Sequence, residues 1–423
     1  MRRISTGRAE EVKFGRLLRN ESLKITDLIQ AERGRTEKLV CGRHILGIQD
    51  TTELNFENHA GRTTGLGSVG NGTDAGIFLH PLLGVDAKTG CSLGFGSINI
   101  INRLQGKRAD YWNAPIEEKE SHRWILSAEQ GKETFKSAEV LTIIGDRESD
   151  IYELFSRIPD SKTHVLIRVR SNRKLIDGEN IESHLEKKDV SGKMAIKIPR
   201  EIRMGREKRE AICAIKYDKL IIQKPKKCRD ARAPNSISLN VVEIKEESCP
   251  TGTPIDWRLI TTHDVNSVDD AKQIINWYRH RWTIEQLFRT LKKQGLNIES
   301  TQIESVNSLI KLSIISVCAA LKIMQLVSAR DGQAEAHLEE VFSADEIEVL
   351  DATLSKLEGK TEKQKNPFTK KNLAWGAWII ARLGGWKGYK SEAPPGPITM
   401  ARGLENFKNT YNGWFLCKDM CIG

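Results

Sequence analysis

The sequence lacks several patterns that mark common classes of protein. Its eight cysteines include no CxxC pair and have no histidine at zinc-ligand spacing, which argues against a disulfide framework and a zinc site. There is no apolar signal-peptide segment at the start and no internal repeat. The most apolar run, residues 309–327, contains Lys311 and Lys322, so it predicts a buried core helix rather than a membrane span. These absences predict a soluble protein with reduced thiols, located in the cytoplasm.

A dinucleotide site is excluded as well. Residues 65–70 read GLGSVG, which matches the pattern GxGxxG. A strand-like run follows instead of a helix, so no helix N-terminus is available to bind a pyrophosphate. The segment is predicted to be a glycine-rich loop.

Positive charge is in excess. Lys and Arg number 66 against 56 Asp and Glu, which gives a net charge of +10, and 39% of the 423 residues are hydrophobic. A positive field suits a polyanion, so nucleic acid is the first partner to consider, although solubility alone also explains the excess. The length predicts a large core and two to four domains.

Strands and helices are mixed in the first half of the chain, which predicts an α/β fold. After Val165 and up to Thr262 the alternation is almost entirely of the β type, and after Ser267 the sequence is helical to its end. In the first half, strands are predicted over residues 44–49 and 140–145, and a hairpin over residues 75–101. Helices are predicted near residues 116–132 and 151–158.

A helix rich in cations surrounds one carboxylate, Glu285, in the stretch NWYRHRWTIEQLFRTLKKQG. A capping box at Ser267 and a stop at Gly295 predict one helix over residues 268–294. At about 100° per residue, Glu285 then shares a face about 60° wide with three other side chains. A solvated amphipathic helix with i, i+4 ion pairs is the alternative. The three other side chains are Tyr278, Arg281 and Lys292.

Two aspartates stand at the ends of predicted strands. Asp50 closes the run ILGIQ, and Asp146 closes VLTIIG. Either one alone is commonly a turn former. Together with Glu285 they make the oxygen ligand set that two Mg²⁺ ions about 4 Å apart need for in-line phosphoryl transfer. With metal ions over Glu285, Arg281 and Lys292 are expected to contact DNA phosphates on either side, and Tyr278 to hydrogen-bond another phosphate.

These residues resemble the motifs of a known family. The spacing of Tyr278, Arg281, Glu285 and Lys292 is similar to the YREK signature of bacterial cut-and-paste insertion-sequence transposases, most closely the Tn-five-type branch of insertion-sequence family four. The runs IQDTT and GDRESDI resemble the first and second aspartate motifs of that family. The resemblance runs from about Ala9 to the end of the chain, and implies a DDE triad of Asp50, Asp146 and Glu285 that binds two Mg²⁺ ions, which Mn²⁺ can replace.

The resemblance implies an RNase H-like catalytic core of the retroviral integrase superfamily with a β-rich insertion. The implied enzyme pairs two transposon ends in a homodimer, hydrolyses one DNA strand at each end, forms a hairpin, reopens it and joins the ends to target DNA. Its implied place is the bacterial cytoplasm, at the nucleoid. The predicted segments are a DNA-binding helical part (1–40), the first part of the core (41–173), the insertion (174–255), the second part of the core (256–330) and a helical dimerisation region (331–423).

Two further residues match positions at which the family contacts a flipped base. Trp257 stands where the stacking tryptophan is expected, and core packing is the alternative. Arg168 matches an arginine that contacts the flipped strand, with Arg170 and Arg173 competing for the role.

Only 49 residues precede Asp50, fewer than family members usually have before the first aspartate. Two interpretations follow: an active transposase with a short recognition segment, or an inhibitor that dimerises with full-length transposase and binds DNA poorly. Another two-metal nuclease or phosphotransferase is a third, which the YREK spacing disfavours.

Overall fold

The fold is taken from a computed structural model that describes residues 7–57, 64–70, 72–104, 114–198, 207–249, 252–389 and 391–422. The chain divides into two compact units. Unit one consists of Met1–Val40, Thr51–Gln105 and Thr283–Gly423, and unit two of Cys41–Asp50 and Gly106–Trp282.

Strands and helices are both present, which confirms a mixed α/β fold. The strands are β1 (His44–Gln49), β2 (Thr52–Asn55), β3 (Gly67–Val69), β4 (Asp74–Asp86), β5 (Ser92–Ile101), β6 (Val140–Gly145), β7 (Thr163–Arg168), β8 (Gly192–Ile198), β9 (Arg209–Gln223), β10 (Ser236–Glu246) and β11 (Asp256–Thr261). The helices are α1 (Arg8–Arg19), α2 (Ile25–Leu39), α3 (His122–Thr134), α4 (Tyr152–Arg157), α5 (Ile181–Glu186), α6 (Val268–Arg279), α7 (Trp282–Lys292), α8 (Val306–Ala329), α9 (Ala344–Leu357), α10 (Leu373–Leu383) and α11 (Pro397–Ile422).

The strands of unit two form a mixed sheet in the order β1-β6-β7-β11-β10-β9-β8. The first three are parallel, and β11, β10, β9 and β8 continue antiparallel. In β1 and β6 every residue after the first is buried. Continuous burial is typical of parallel strands covered on both faces, and it explains why their sequences are apolar runs without alternation.

Helices α3 and α6 belong to unit two. Helix α3 packs on β1, and α6 packs on β9 and β10. Helix α3 confirms the helix predicted near 116–132, although it begins later, at His122. Ser267 caps α6 as predicted, because its Oγ accepts from the Asp270 N–H while the Asp270 carboxylate accepts from the Ser267 N–H.

The single helix predicted over residues 268–294 is wrong. Helix α6 ends at Arg279, and α7 begins at Trp282. The His280 N–H donates to the carbonyl oxygen of Trp277 at 3.1 Å and the Arg281 N–H to that of Tyr278 at 2.9 Å, so the chain makes a tight turn between the two helices. A face calculated on one straight helix therefore does not extend from Tyr278 to Lys292.

Unit one contains an antiparallel sheet in which β4 pairs with β2, β3 and β5. The predicted hairpin is confirmed by β4 and β5, whose turn is closed by the Asp86 carboxylate accepting from the N–H groups of Lys88 and Thr89. Helix α8 contacts α1, α2, α10, α11 and β5. By length and composition α8 is, among the described residues, one helix that could cross a membrane, but more than half of its apolar window is buried against the rest of the protein.

Lys311 in α8 is 1% exposed, and its ammonium donates to the carbonyl oxygens of Leu18 and Asn20 at the end of α1. A buried ammonium group at a helix C-terminus is favoured by the helix dipole and by the hydrogen bonds it makes. Lys311 thus joins α1 to the central helix of unit one.

Candidate active site

Two aspartates lie at the carboxyl ends of neighbouring parallel strands. Strands β1 and β6 pair in a register that places Ile48 beside Ile144. Continued by two residues, this register places Asp50 beside Asp146. Because adjacent strands are about 4.8 Å apart, the two carboxylates belong to one edge of the sheet in unit two.

The turn that begins at Asp146 fixes its side chain. The Glu148 backbone N–H donates to Asp146 Oδ1 at 2.8 Å, and the Ser149 hydroxyl donates to the Asp146 carbonyl oxygen at 2.7 Å. The Ser149 hydroxyl lies 2.2 Å from the point that a Cβ atom at Gly145 would occupy. Glycine at position 145 therefore allows the turn to close against the end of β6.

Asp50 is held by a residue from the end of α6. Arg281 Nη1 lies 3.4 Å from Asp50 Oδ2, and the two side chains are only 15% and 19% exposed. The turn between α6 and α7 brings the Arg281 guanidinium to this position. In this structure the Arg281 guanidinium contacts the first aspartate, and its contact with DNA phosphates stays a prediction.

Tyr278 lies close to two arginines. Its side chain is 4% exposed, and burial raises the pKa of its hydroxyl, while the charges of Arg281 and Arg168 lower it. Burial lowers the pKa of Arg168, and the positive charges of Arg147 and Arg281 lower it further. The charge of Tyr278 acts in the opposite direction and raises this pKa. The Tyr278 hydroxyl is thus shielded from solvent and lies within the electrostatic influence of Arg281 and Arg168.

Trp257 lies beside this tyrosine on β11. Its ring is 5.5 Å from the Tyr278 ring at an interplanar angle of 63°, an edge-to-face contact. The Trp257 side chain is only partly buried. One face of an indole in such a position can accept a stacked base.

The three arginines that competed for a DNA contact have different surroundings. Arg173 is 7% exposed and forms a two-bond ion pair with the Asp150 carboxylate, which is fully buried. Asp150 also accepts from the backbone N–H groups of Arg170 and Ser171. Arg168 is half-buried near Tyr278, and Arg170 is exposed. Arg173 is therefore engaged in a buried ion pair, so Arg168 and Arg170 are the two candidates for the DNA contact.

Glu285 and Lys292 lie on α7 within unit one. They are seven residues apart, so they project from the same side of the helix, and an apolar stripe elsewhere on the helix is buried. Lys292 Nζ donates to the carbonyl oxygen of Glu53 at 2.9 Å and pairs with Glu299 at 3.2 Å. The stripe consists of Ile284, Leu287, Phe288 and Leu291.

Sequence reasoning missed the residues that support the turn after Asp146. Arg123 pairs with Glu148 at 2.8 Å, and Asp150 pairs with Arg173 at the end of the same turn. The sequence runs that contain them are recognisable: Arg123 lies in KESHRW, residues 119–124, and Asp150 lies in GDRESDI, residues 145–151. What the motifs did not show was the pairing.

A different acidic group lies between β7 and β8. Asp177, Glu179 and His184 have donor atoms within 4.8 Å of one another. Two of them already have ionic partners, because Glu179 pairs with Lys187 and His184 with Asp218. An acidic cluster that could bind a cation is thus present, but its carboxylates are partly satisfied by cationic side chains.

The residues at the sheet edge fit a divalent ion better. Asp50 and Asp146 offer carboxylate oxygens, which are hard ligands suited to Mg²⁺. Asp146 Oδ1 accepts from a backbone N–H, which orients the second oxygen of the group. Asp146, oriented by a backbone N–H, and Asp50, held by Arg281, together supply carboxylate oxygens suited to a divalent metal.

Comparison with known families gives a match that includes most of these residues. The family model for the transposase DDE domain matches residues 118–321, just under half of the chain. The match includes Asp146 and Glu285, while Asp50 precedes it. It supports a DDE transposase. Proteins with DDE domains generally use divalent metal ions for DNA cleavage and strand transfer.

A solved structure is also similar to part of the chain. It is piggyBac transposase, determined by electron cryomicroscopy in a synaptic complex with hairpin DNA. The identity is 13% and the TM-score 0.36, over 72% of this chain and 50% of that chain. The match thus spans half the length of that protein.

Proposed function

We propose that the chain is a DDE transposase that excises and inserts a DNA element by a cut-and-paste route. The observation that carries the proposal is the pairing of β1 with β6, whose register brings Asp50 beside Asp146. The match to the DDE domain supports the same class. We further propose an RNase H-like core and a place in the Tn-five-type branch of insertion-sequence family four, on the strength of the YREK spacing.

In this proposal Asp50, Asp146 and Glu285 bind two Mg²⁺ ions, which Mn²⁺ can replace. When bound, the ions supply activation of the attacking oxygen and stabilisation of the leaving oxygen at the scissile phosphate. Asp146 presents one oxygen of its carboxylate because the other accepts from the Glu148 N–H. Arg281 contacts the Asp50 carboxylate and limits its rotation.

Cationic side chains of unit two and of α7 would contact the DNA backbone. Arg281 has five N–H donors, so it can contact Asp50 and a phosphate together. Arg168 and Lys292 would bind neighbouring phosphates, and the Tyr278 hydroxyl would orient Arg281 or donate to a phosphate. Trp257 would stack on a base that leaves the helix when DNA bends into a hairpin.

The reaction sequence we propose has four steps at each end of the element. Water cleaves one strand, the released 3′-OH attacks the opposite strand to form a hairpin, water reopens the hairpin, and the 3′-OH joins target DNA. Two protomers would hold the two inverted repeats. Residues 1–40 would contact the repeats, 41–173 and 256–330 form the core, 174–255 the insertion and 331–423 the dimer contact.

The direct test uses the full chain, Mg²⁺ and duplex DNA carrying the inverted repeats that flank its own gene. We expect nicked and hairpin-ended products, which Asp146→Asn abolishes. Asp269→Asn is the matched control, since Asp269 is a highly exposed aspartate on α6 and its loss should leave cleavage unchanged. Absence of cleavage by the natural protein, or full cleavage by the Asp146 variant, contradicts the proposal.

A further inference from the structure

The turn after β6 has a second layer of support outside the aspartates. The orientation of the Asp146 carboxylate depends on the backbone N–H of Glu148, which donates to Oδ1 at 2.8 Å. Any shift of residue 148 moves that N–H and rotates the carboxylate. The position of Glu148 therefore contributes to the orientation of the Asp146 carboxylate.

The Glu148 side chain is held by one arginine. Arg123 Nη2 donates to Glu148 Oε2 at 2.8 Å, a charge-assisted hydrogen bond. Glu148 is 59% exposed, so this bond restrains a side chain that is otherwise largely in solvent. Arg123 itself is 15% exposed and lies in the first turn of α3.

Arg123 is well fixed. Its Nη1 donates to the carbonyl oxygen of Glu120 at 3.1 Å, and its guanidinium lies 5.6 Å from the ring centre of Trp124, which is buried against the core. A guanidinium with these contacts has little freedom. It can transmit the position of α3 to the turn that carries Asp146.

The other end of the same turn is fixed by a second arginine. Asp150 is fully buried and receives two bonds from Arg173. Removal of either member of a buried pair costs several kcal/mol and destabilises the fold as a whole. Arg173 is thus a structural anchor, whereas Arg123 acts at the partly exposed end of the turn, where its effect can be measured separately from folding.

We propose that Arg123 is a positioning residue that sets the orientation of the Asp146 carboxylate through Glu148. The inference rests on the proposed function, because it matters for catalysis only if Asp146 binds the metal. Residues that orient metal ligands in this way typically change metal affinity or activity by about 10- to 100-fold when they are lost. We expect the lower end of that range, since Glu148 remains tethered by its own backbone.

The test compares four full-length variants with the natural protein. They are Arg123→Gln, Arg123→Lys, Glu148→Gln and the double variant Arg123→Gln/Glu148→Gln. Lys193→Gln is the matched control, since it breaks an exposed ion pair with Glu247 in the β-rich segment. The measurements are the Mn²⁺ dissociation constant, amide hydrogen exchange of residues 147–150 without metal, the thermal midpoint, and DNA nicking.

We expect Arg123→Gln to raise the Mn²⁺ dissociation constant about tenfold and to speed exchange at the Glu148 amide, with the thermal midpoint unchanged. Arg123→Lys should restore much of the Mn²⁺ affinity and much of the protection of the Glu148 amide. The double variant should have the same Mn²⁺ dissociation constant and exchange rate as each single glutamine variant. Unchanged exchange and Mn²⁺ affinity in Arg123→Gln overturn the inference, as does a lysine variant no better than glutamine. If the natural protein fails to nick DNA, the proposed function fails, while hydrogen exchange still decides whether Arg123 orders the turn.

Discussion

The turn after β1 and the turn after β6 each begin with an aspartate, yet the groups that hold the two carboxylates come from different distances along the chain. Asp146 accepts from a backbone N–H two residues later. Asp50 contacts a guanidinium 231 residues later, at the end of α6. One aspartate is oriented by its own turn, and the other by the docking of a distant helix.

This difference predicts different sensitivities. Changes within residues 145–150 should disturb Asp146 first, because its partner is local. Changes that loosen α6 should disturb Asp50 first, because Arg281 follows directly after that helix. If both carboxylates bind the same metals, the two kinds of damage should reduce the same DNA cleavage by separate routes.

Among substitutions outside the aspartates, the largest effect on DNA cleavage is expected from Gly145→Ala, which disturbs the turn after β6. The new methyl group would lie 2.2 Å from the Ser149 hydroxyl, so the turn must shift. We expect a loss of about 1–3 kcal/mol in the free energy of unfolding and a loss of cleavage on the order of 100-fold. Urea unfolding and DNA nicking measure the two.

Gly34→Ala is the matched control for this change. Gly34 lies within α2, and apart from adjacent residues and the nearby backbone of its own helix no described atom lies within 4 Å of the added methyl group. Alanine should stabilise the helix by up to about 1 kcal/mol, in contrast to the loss expected at position 145. A Gly145→Ala protein as stable as the Gly34 variant would show that the turn tolerates a side chain.

A smaller loss of DNA nicking is expected from Arg281→Met, which removes the guanidinium that contacts Asp50. Hydrogen bonds to charged groups contribute about 1.5–3 kcal/mol, so nicking should fall by about 10- to 100-fold. Arg279→Met, two residues earlier on an exposed position, should have little effect. Equal losses in both variants would point to general DNA attraction rather than to the contact with Asp50.

Trp257→Ala should act on one reaction step. Stacking of a base on an aromatic ring contributes about 1–3 kcal/mol, so hairpin formation should slow about tenfold while first-strand nicking changes little. Trp257→Phe keeps an aromatic face and should recover most of the rate. Time courses on end-labelled DNA separate the steps, and equal slowing of both would argue for a packing role only.

The smallest effect concerns pH. His263 stacks on His164 at 3.9 Å and lies 4.9 Å from Trp277 of α6. Burial lowers the pKa of His263 to about 3, and the His164 and His44 charges add to the decrease. The unfolded state therefore binds more protons, so this contribution to stability is present above about pH 6.5 and is lost as pH falls towards 3.

For His263, the free energy of unfolding should change by at most about 1.4 kcal/mol per pH unit. As pH falls, α6 should loosen before the rest of the protein unfolds. Urea unfolding between pH 7.5 and 5 measures the change in free energy. His263→Gln should flatten the dependence, whereas His337→Gln, at an exposed position, should not. The same slope in all three proteins would assign the pH dependence to other groups.

Features set by neighbouring residues could be predicted from the sequence. The capping box at Ser267, the β4–β5 hairpin and the aspartates at strand ends all depend on local patterns, and the structure confirms all three. The placement of Asp50 beside Asp146 needed the pairing of β1 with β6. That pairing joins segments about a hundred residues apart and leaves no mark in either segment.

The break after α6 could not be predicted, because neither glycine nor proline occurs between Asn276 and Lys292. It coincides with the contact of Arg281 with Asp50, a tertiary interaction. The burial of Arg173 could not be predicted from the sequence either, since its partner Asp150 lies 23 residues earlier in the chain. Both cases involve charged groups whose roles depend on what lies opposite them in the fold.

The central claim is that Asp50 and Asp146 bind the same metal ions for DNA cleavage. The most direct test measures nicking and Mn²⁺ binding for Asp50→Asn, Asp146→Asn and the double variant. Each single variant should lose nicking by about 1,000-fold or more and lose Mn²⁺ binding, and the double variant should be no worse than either, because residues that act as one unit are not additive. Normal nicking by either single variant, or losses that multiply in the double variant, would contradict a shared site.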